Sequence, residues 1–228
     1  MCNVLRSFSF SGILVIGRSP YASKPAVLPH DEVKPPSAVE FWSPTESCVL
    51  KDYPRDMSYP TVNLVSHRLG ACYEDTCEIY REGSWQHLQN TTVERHYHSS
   101  ATTKDAVLLI GGIGLNSTEW IPIDGSPAQP GPFTVRGFGH CTIQTSDDVI
   151  VVTGGIETYN FVTQYHLTDG TETPLAPLGQ PRWAHACGVY QDTNGQQVSE
   201  SFEDANNANN ACIDHVSDVR LCVIAISL

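Results

Sequence analysis

An apolar run that ends in glycine recurs along this 228-residue chain. Gly12-Ile13-Leu14-Val15-Ile16-Gly17 comes first, then Ala106-Val107-Leu108-Leu109-Ile110-Gly111-Gly112, then Val149-Ile150-Val151-Val152-Thr153-Gly154-Gly155. A period of roughly 40 to 46 residues, with strand-like runs between its landmarks, narrows the possible folds sharply. Each unit is a small sheet that can bury its faces only against its neighbours, so the units must stack.

Two further series hold the same register. An arginine precedes each unit's first strand (Arg55, Arg95, Arg136, Arg182), and an acidic or amide residue lies in a later one (Glu40, Glu78, Glu119, Gln164). The strand-ending glycines Gly70, Gly111 and Gly154 fall between them. Each unit reads as four short strands. The first is expected over 95–100, 136–143 and 182–190, followed by polar turns at 103–105, 146–148 and 192–195 of the kind that closes hairpins. The apolar run is the second strand, apolar on both faces as befits a strand packed between neighbouring sheets. The third is expected over 117–121 and 162–167, and an Asp124-Gly125 or Asp169-Gly170 turn leads to an outer strand where Trp85 also sits. No segment keeps a helical period, so the class is all-β, an array of β-propeller blades.

These residues resemble the kelch repeat, in which a hydrophobic run and glycine pair precede an aromatic residue and then a tryptophan. Gly111-Gly112 followed by Trp120, Gly154-Gly155 followed by Tyr165, and Trp85 of the preceding unit carry the resemblance over roughly residues 12 to 195. Gly70-Ala71 and Gly17-Arg18 depart from the glycine pair. The resemblance implies a propeller with one repeat per blade and a protein-interaction role. The expected units are a partial 12–52, then 53–89, 90–132 and 133–177, and the start of a fifth at 178–197. Residues 198–228 form an atypical tail that contains the Asn-rich run Asn206-Asn207-Ala208-Asn209-Asn210 and a candidate terminal strand. About four blades make an incomplete propeller, since closure takes roughly four to eight. The expectation is a truncated propeller that starts and stops partway through a repeat. The alternative is a small ring closed by residues 212–228.

Charge and cysteine usage bound the partners. With 13 basic against 25 acidic residues, the net charge of -12 offers no phosphate-attracting stripe, so nucleic-acid binding is not expected. No apolar run approaches the roughly 18 to 20 residues that span a bilayer, so membrane insertion is not expected either. The short apolar stretch near the N-terminus reads as a blade strand rather than a signal peptide. Eight cysteines and two sequons, at Asn90 and Asn116 in expected loops, tilt the compartment towards extracellular, with cytoplasmic as the alternative.

The candidate chemistry is sparse. His98, His140 and His185 follow their arginines and could converge near the central channel on a metal, but they track the repeat, which favours a structural role and no metal site. Arg95, Arg136 and Arg182 could clamp a carboxylate, but pairing with Glu78 or Glu119 of a neighbouring blade is the better reading. Cys72 and Cys77 could bridge an expected turn, and Cys141 and Cys187 could bridge adjacent blades; free buried thiols remain the alternative for both. Galactose-oxidase-like copper enzymes share kelch-type propellers and use tyrosine and histidine ligands with a modified cysteine, yet none of their spacings can be matched here. The expectation is therefore a kelch-type protein-interaction module, not an enzyme, without cofactor. Its partner would be a protein bound at loops such as 114–118 and 156–161. The alternatives are a galactose-oxidase-type oxidoreductase and an extracellular structural module stiffened by disulfides and glycans.

Overall fold

The computed structural model describes residues 12–18, 37–42, 47–49, 60–66, 68–191, 197–202 and 222–226. Arg55, the expected turn at 192–195, the Asn-rich run at 206–210 and Cys212 lie outside them. The described residues are all-β, without a helix and hence without one long and apolar enough to cross a membrane.

Five antiparallel sheets follow the chain. Strands β1 (Gly12–Arg18), β2 (Ser37–Trp42) and β3 (Ser47–Val49) form the first, and β17 (Cys222–Ile226) joins it beside β1. The second contains β4 (Thr61–Val65), β5 (Arg68–Arg81) and β6 (Ser84–Arg95). The third runs from β7 (Ser99–Thr102) through β8 (Ala106–Ile110) and β9 (Ser117–Pro122) to β10 (Gln129–Thr134). The fourth repeats that order with β11 (Cys141–Gln144), β12 (Val149–Thr153), β13 (Val162–His166) and β14 (Glu172–Pro174). The fifth pairs β15 (Ala186–Gln191) with β16 (Gln197–Phe202), although no glycine pair follows β16. First strands lie side by side, β17 against β4, β4 against β7, β7 against β11 and β11 against β15. This is an incomplete, propeller-like all-β fold, and no sheet closes on itself.

The core explains the apolar runs. In β8, Val107 and Leu109 point into one hydrophobic cluster with Val65, Cys72, Ile79 and Ile121. Their neighbours Leu108 and Ile110 point the opposite way, into a second cluster with Phe133, Ile150, Val152 and Tyr165. Successive side chains of a strand alternate faces, so a strand sandwiched between two sheets must be apolar at every position. Each such side chain contributes about 1.5–3 kcal/mol by burial.

Polar side chains stitch the first strands together. Gln144 of β11 donates its amide to the Thr102 carbonyl at 2.7 Å and accepts from the Thr102 backbone N–H at 3.1 Å, acting as an extra peptide unit beside β7. Ser100 donates to Asn63 of β4 at 3.0 Å, and the hydroxyls of Ser99 and Thr142 lie 2.7 Å apart.

Two expectations are corrected. First strands begin later than expected, at Ser99, Cys141 and Ala186. Tyr97, Gly139 and Ala184, each just before the recurring histidine, have positive φ (56°, 69° and 48°), which breaks the regular extended backbone. The β4–β6 unit also has three strands, not four, and two are long, with register shifts between them. Trp85 is the second residue of β6, edge-on to Tyr80 at 5.3 Å.

Candidate functional site

One end of the third, fourth and fifth sheets gathers the repeat's defining residues. The links from one sheet to the next start there, as do the 111–116 and 154–161 connections between second and third strands. Backbone bonds run from unit to unit: Gly139 donates to the Tyr97 carbonyl at 2.9 Å, and Ala184 to the Gly139 carbonyl at 2.8 Å. The positive φ before each histidine turns the peptide towards the next unit, which is the local reason for the bend.

The glycine pairs leave room for the histidines. A Cβ on Gly155 would lie 2.3 Å from the His140 ring, and one on Gly154 would lie 2.5 Å from the Arg182 carbonyl and 2.6 Å from the His185 ring. His98 donates its Nδ1–H to the Arg95 carbonyl, and its Nε2 accepts from the Thr61 hydroxyl, each at 3.0 Å. His185 Nε2 lies 2.9 Å from the Thr153 hydroxyl of the preceding unit, and His140 Nε2 lies 2.8 Å from the Arg136 carbonyl. Burial, the largest influence, lowers the His98 pKa to about 4 and also lowers that of His140. These imidazoles brace blade contacts and do not converge on a common point among the described residues.

The arginines diverge. Arg95 is buried and holds Glu119 at 3.2 Å, while its other nitrogens donate to the Gly111 and Ser117 carbonyls at 2.8 Å and to the Ser117 hydroxyl at 2.9 Å. Arg95 ends β6 of the second sheet and Glu119 lies in β9 of the third, so this pair joins neighbouring sheets. In the next unit the acid is replaced by Gln164, and Arg136 swings outward to Glu157, also at 3.2 Å, with its side chain 75% exposed. Arg182 is half-buried and holds the Tyr159 carbonyl through its backbone N–H at 2.8 Å.

Both expected cysteine pairs are disulfides. Cys141–Cys187 ties β11 to β15, with Cα atoms 5.9 Å apart. Cys72 and Cys77 lie within β5, yet their Cα atoms are 4.1 Å apart, where five extended steps would span about 16 Å. The chain therefore doubles back between them, at Glu74 with φ 51°. Both sequon asparagines are exposed. Asn116 lies in a connection as expected, but Asn90 lies within β6, paired with Thr76.

Two features went unread in the sequence. Three large apolar side chains stand exposed at this end of successive units: Ile113 (49%), Tyr159 (50%) and Trp183 (41%). Separately, Glu74, Glu94 and His96 bring one donor atom each within 4.8 Å of one another, the one such His- and carboxylate-bearing group among the described residues. Only the C-x4-C frame around Glu74 and the i, i+2 spacing of Glu94 and His96 signal it in the sequence.

No family model matches the chain, and no curated protein matches it. Among solved structures it is similar to a fungal alcohol oxidase of the AA5 family in complex with copper. The TM-score is 0.52 at 16% identity, covering 68% of this chain and 38% of the oxidase. The chain thus spans well under half of that enzyme's length. The expectation that the chain is not an enzyme is corrected by this finding: a solved structure to which it is similar is an enzyme, so a propeller-like fold does not set the chain apart from catalysts. The described residues do not assemble a copper centre of the tyrosine–cysteine type. The four cysteines whose side chains are described, Cys72, Cys77, Cys141 and Cys187, are all consumed in disulfides, and the recurring histidines are committed to blade contacts. What the comparison establishes is the fold, an all-β array of propeller-like sheets shared with a copper alcohol oxidase.

Proposed function

We propose that the blades form a recognition platform for a protein partner, engaged through the connections 111–116 and 154–161 and the Trp183 bend, in an extracellular protein. The observation that supports this is the recurrence of exposed Ile113, Tyr159 and Trp183 at one end of successive units. Aromatic anchors on a rigid frame are what binding hot spots are made of, and backbone bonds through Tyr97, Gly139 and Ala184 supply the rigidity. Two disulfides and the exposed Asn90 and Asn116 sequons are in keeping with an extracellular setting. On this reading Ile113 of unit 90–132, Tyr159 of unit 133–177 and Trp183 of the unit that starts at 178 supply the anchors. A photo-crosslinker placed at Tyr159 tests it: a partner should be captured from Tyr159, lost in Trp183→Ser, and not captured from Asp105 in a turn at the other end of the third sheet. Equal capture from Tyr159 and Asp105 overturns the proposal.

A second reading, as the scaffold of a propeller-based oxidoreductase, is favoured by the likeness to the copper alcohol oxidase. Metal analysis of purified protein together with alcohol-dependent oxygen consumption tests it. Stoichiometric copper with turnover supports it, and copper-free protein that stays inert after copper loading rejects it.

A further inference from the structure

We propose that Glu74, Glu94 and His96 form a binding site for a borderline divalent cation such as zinc, unrelated to the copper chemistry of the structural neighbour. Two chain segments build it. Glu94 in β6 and His96 just past its end flank Arg95, which turns into the core towards Glu119. Glu74 faces them from β5, its Cα in register with Arg95. Its backbone is held at φ 51° inside the loop that Cys72–Cys77 cinches, and its carboxylate accepts the Tyr73 hydroxyl.

The three donor atoms lie within 4.8 Å of one another, with His96 Nε2 2.8 Å from Glu94 Oε1. Ligand bonds of about 2.0–2.2 Å place donors on one metal within such a span. A simple ion pair accounts for Glu94 and His96 but not for the second carboxylate. Even with a charged imidazole, the group keeps a surplus negative charge, and Arg95, the cation nearest in sequence, is committed elsewhere. Two carboxylates and one imidazole suit a borderline ion better than a hard one, and three protein ligands leave a position open to water. The ion would pin the β5 bend to the end of β6.

Calorimetric titration of zinc into chelator-treated, disulfide-intact protein tests this, alongside magnesium. One zinc should bind per chain, more tightly than magnesium, and His96→Ala and Glu74→Gln should each weaken it on the order of tenfold or more. His166→Ala removes a comparable exposed histidine–carboxylate pair with Asp148 and should leave binding unchanged. Zinc binding that survives His96→Ala and Glu74→Gln, that falls equally in His166→Ala, or that is no tighter than magnesium binding overturns the site, as does no zinc binding at all.

Discussion

His98 and Arg95 show how one buried polar side chain per unit sets the chain's response to its surroundings. His98 titrates at 6.5 when free and at about 4 when folded, chiefly because burial disfavours its charge. Between those values the unfolded chain binds a proton that the folded chain refuses. Stability is therefore full above pH 6.5 and falls as pH drops towards 4, by about 3 kcal/mol from this group. His140, shifted the same way, adds to the slope. Denaturant titrations across this window should show a flatter pH dependence for His98→Gln than for the native chain; an unchanged slope would remove His98 from the account. Arg95 and Arg136 make a matched comparison. Arg95→Met leaves Glu119 buried without its cation and should cost about 3–5 kcal/mol. Arg136→Met breaks an exposed pair and should cost less than about 1 kcal/mol. Urea midpoints of the two variants check the contrast, and equal losses would contradict it. The sequence foretold that the arginine recurs, but not that it serves two fates: Gln164 in place of an acid is what releases Arg136, and that becomes plain only when the strand carrying it is in place.

At the scale of the element, the glycine-ended strand was the most legible part because its requirement is written at every position. A strand buried on both faces needs apolar residues throughout, and the recurring histidine packed against its terminal glycines needs the space of a missing side chain. Gly155→Ala tests that space. Its Cβ would meet the His140 ring at 2.3 Å, at a backbone φ of 98°, so the variant should lose roughly 1–3 kcal/mol or more. Gly114→Ala, where no atom lies within 4 Å, bears only the cost of its positive φ and should lose less. Thermal melts of both variants decide whether crowding or backbone conformation dominates. The bends before the first strands were not legible. Tyr97, Gly139 and Ala184 share no side-chain chemistry, and their conformation comes from backbone bonds to neighbouring units. The Glu74–Glu94–His96 group was hidden for a related reason: its convergence depends on the register shifts of β5 against β6, which no spacing along the chain reports.

For the molecule as a whole, stability rests on contacts between neighbouring sheets, and these differ along the array. The third and fourth sheets share a continuous hydrophobic cluster and the Gln144–Thr102 bond, so they should open together. The fifth sheet has two described strands, and its covalent tie to the fourth is Cys141–Cys187, across a separation of 46 residues. Constraining a loop of that length contributes about 4 kcal/mol in the chain-entropy account, against about 2 kcal/mol for the separation of 5 at Cys72–Cys77. The double variant Cys141→Ser/Cys187→Ser should therefore lose more stability than Cys72→Ser/Cys77→Ser. It should also lose it locally. A linear array opens at its least-tied unit first, so amide exchange should rise across Ala186–Gln191 while the β8 amides stay protected. Uniform acceleration across all sheets would mean instead that the array unfolds as one cooperative body, with the β11–β15 bridge acting on the whole rather than on its end.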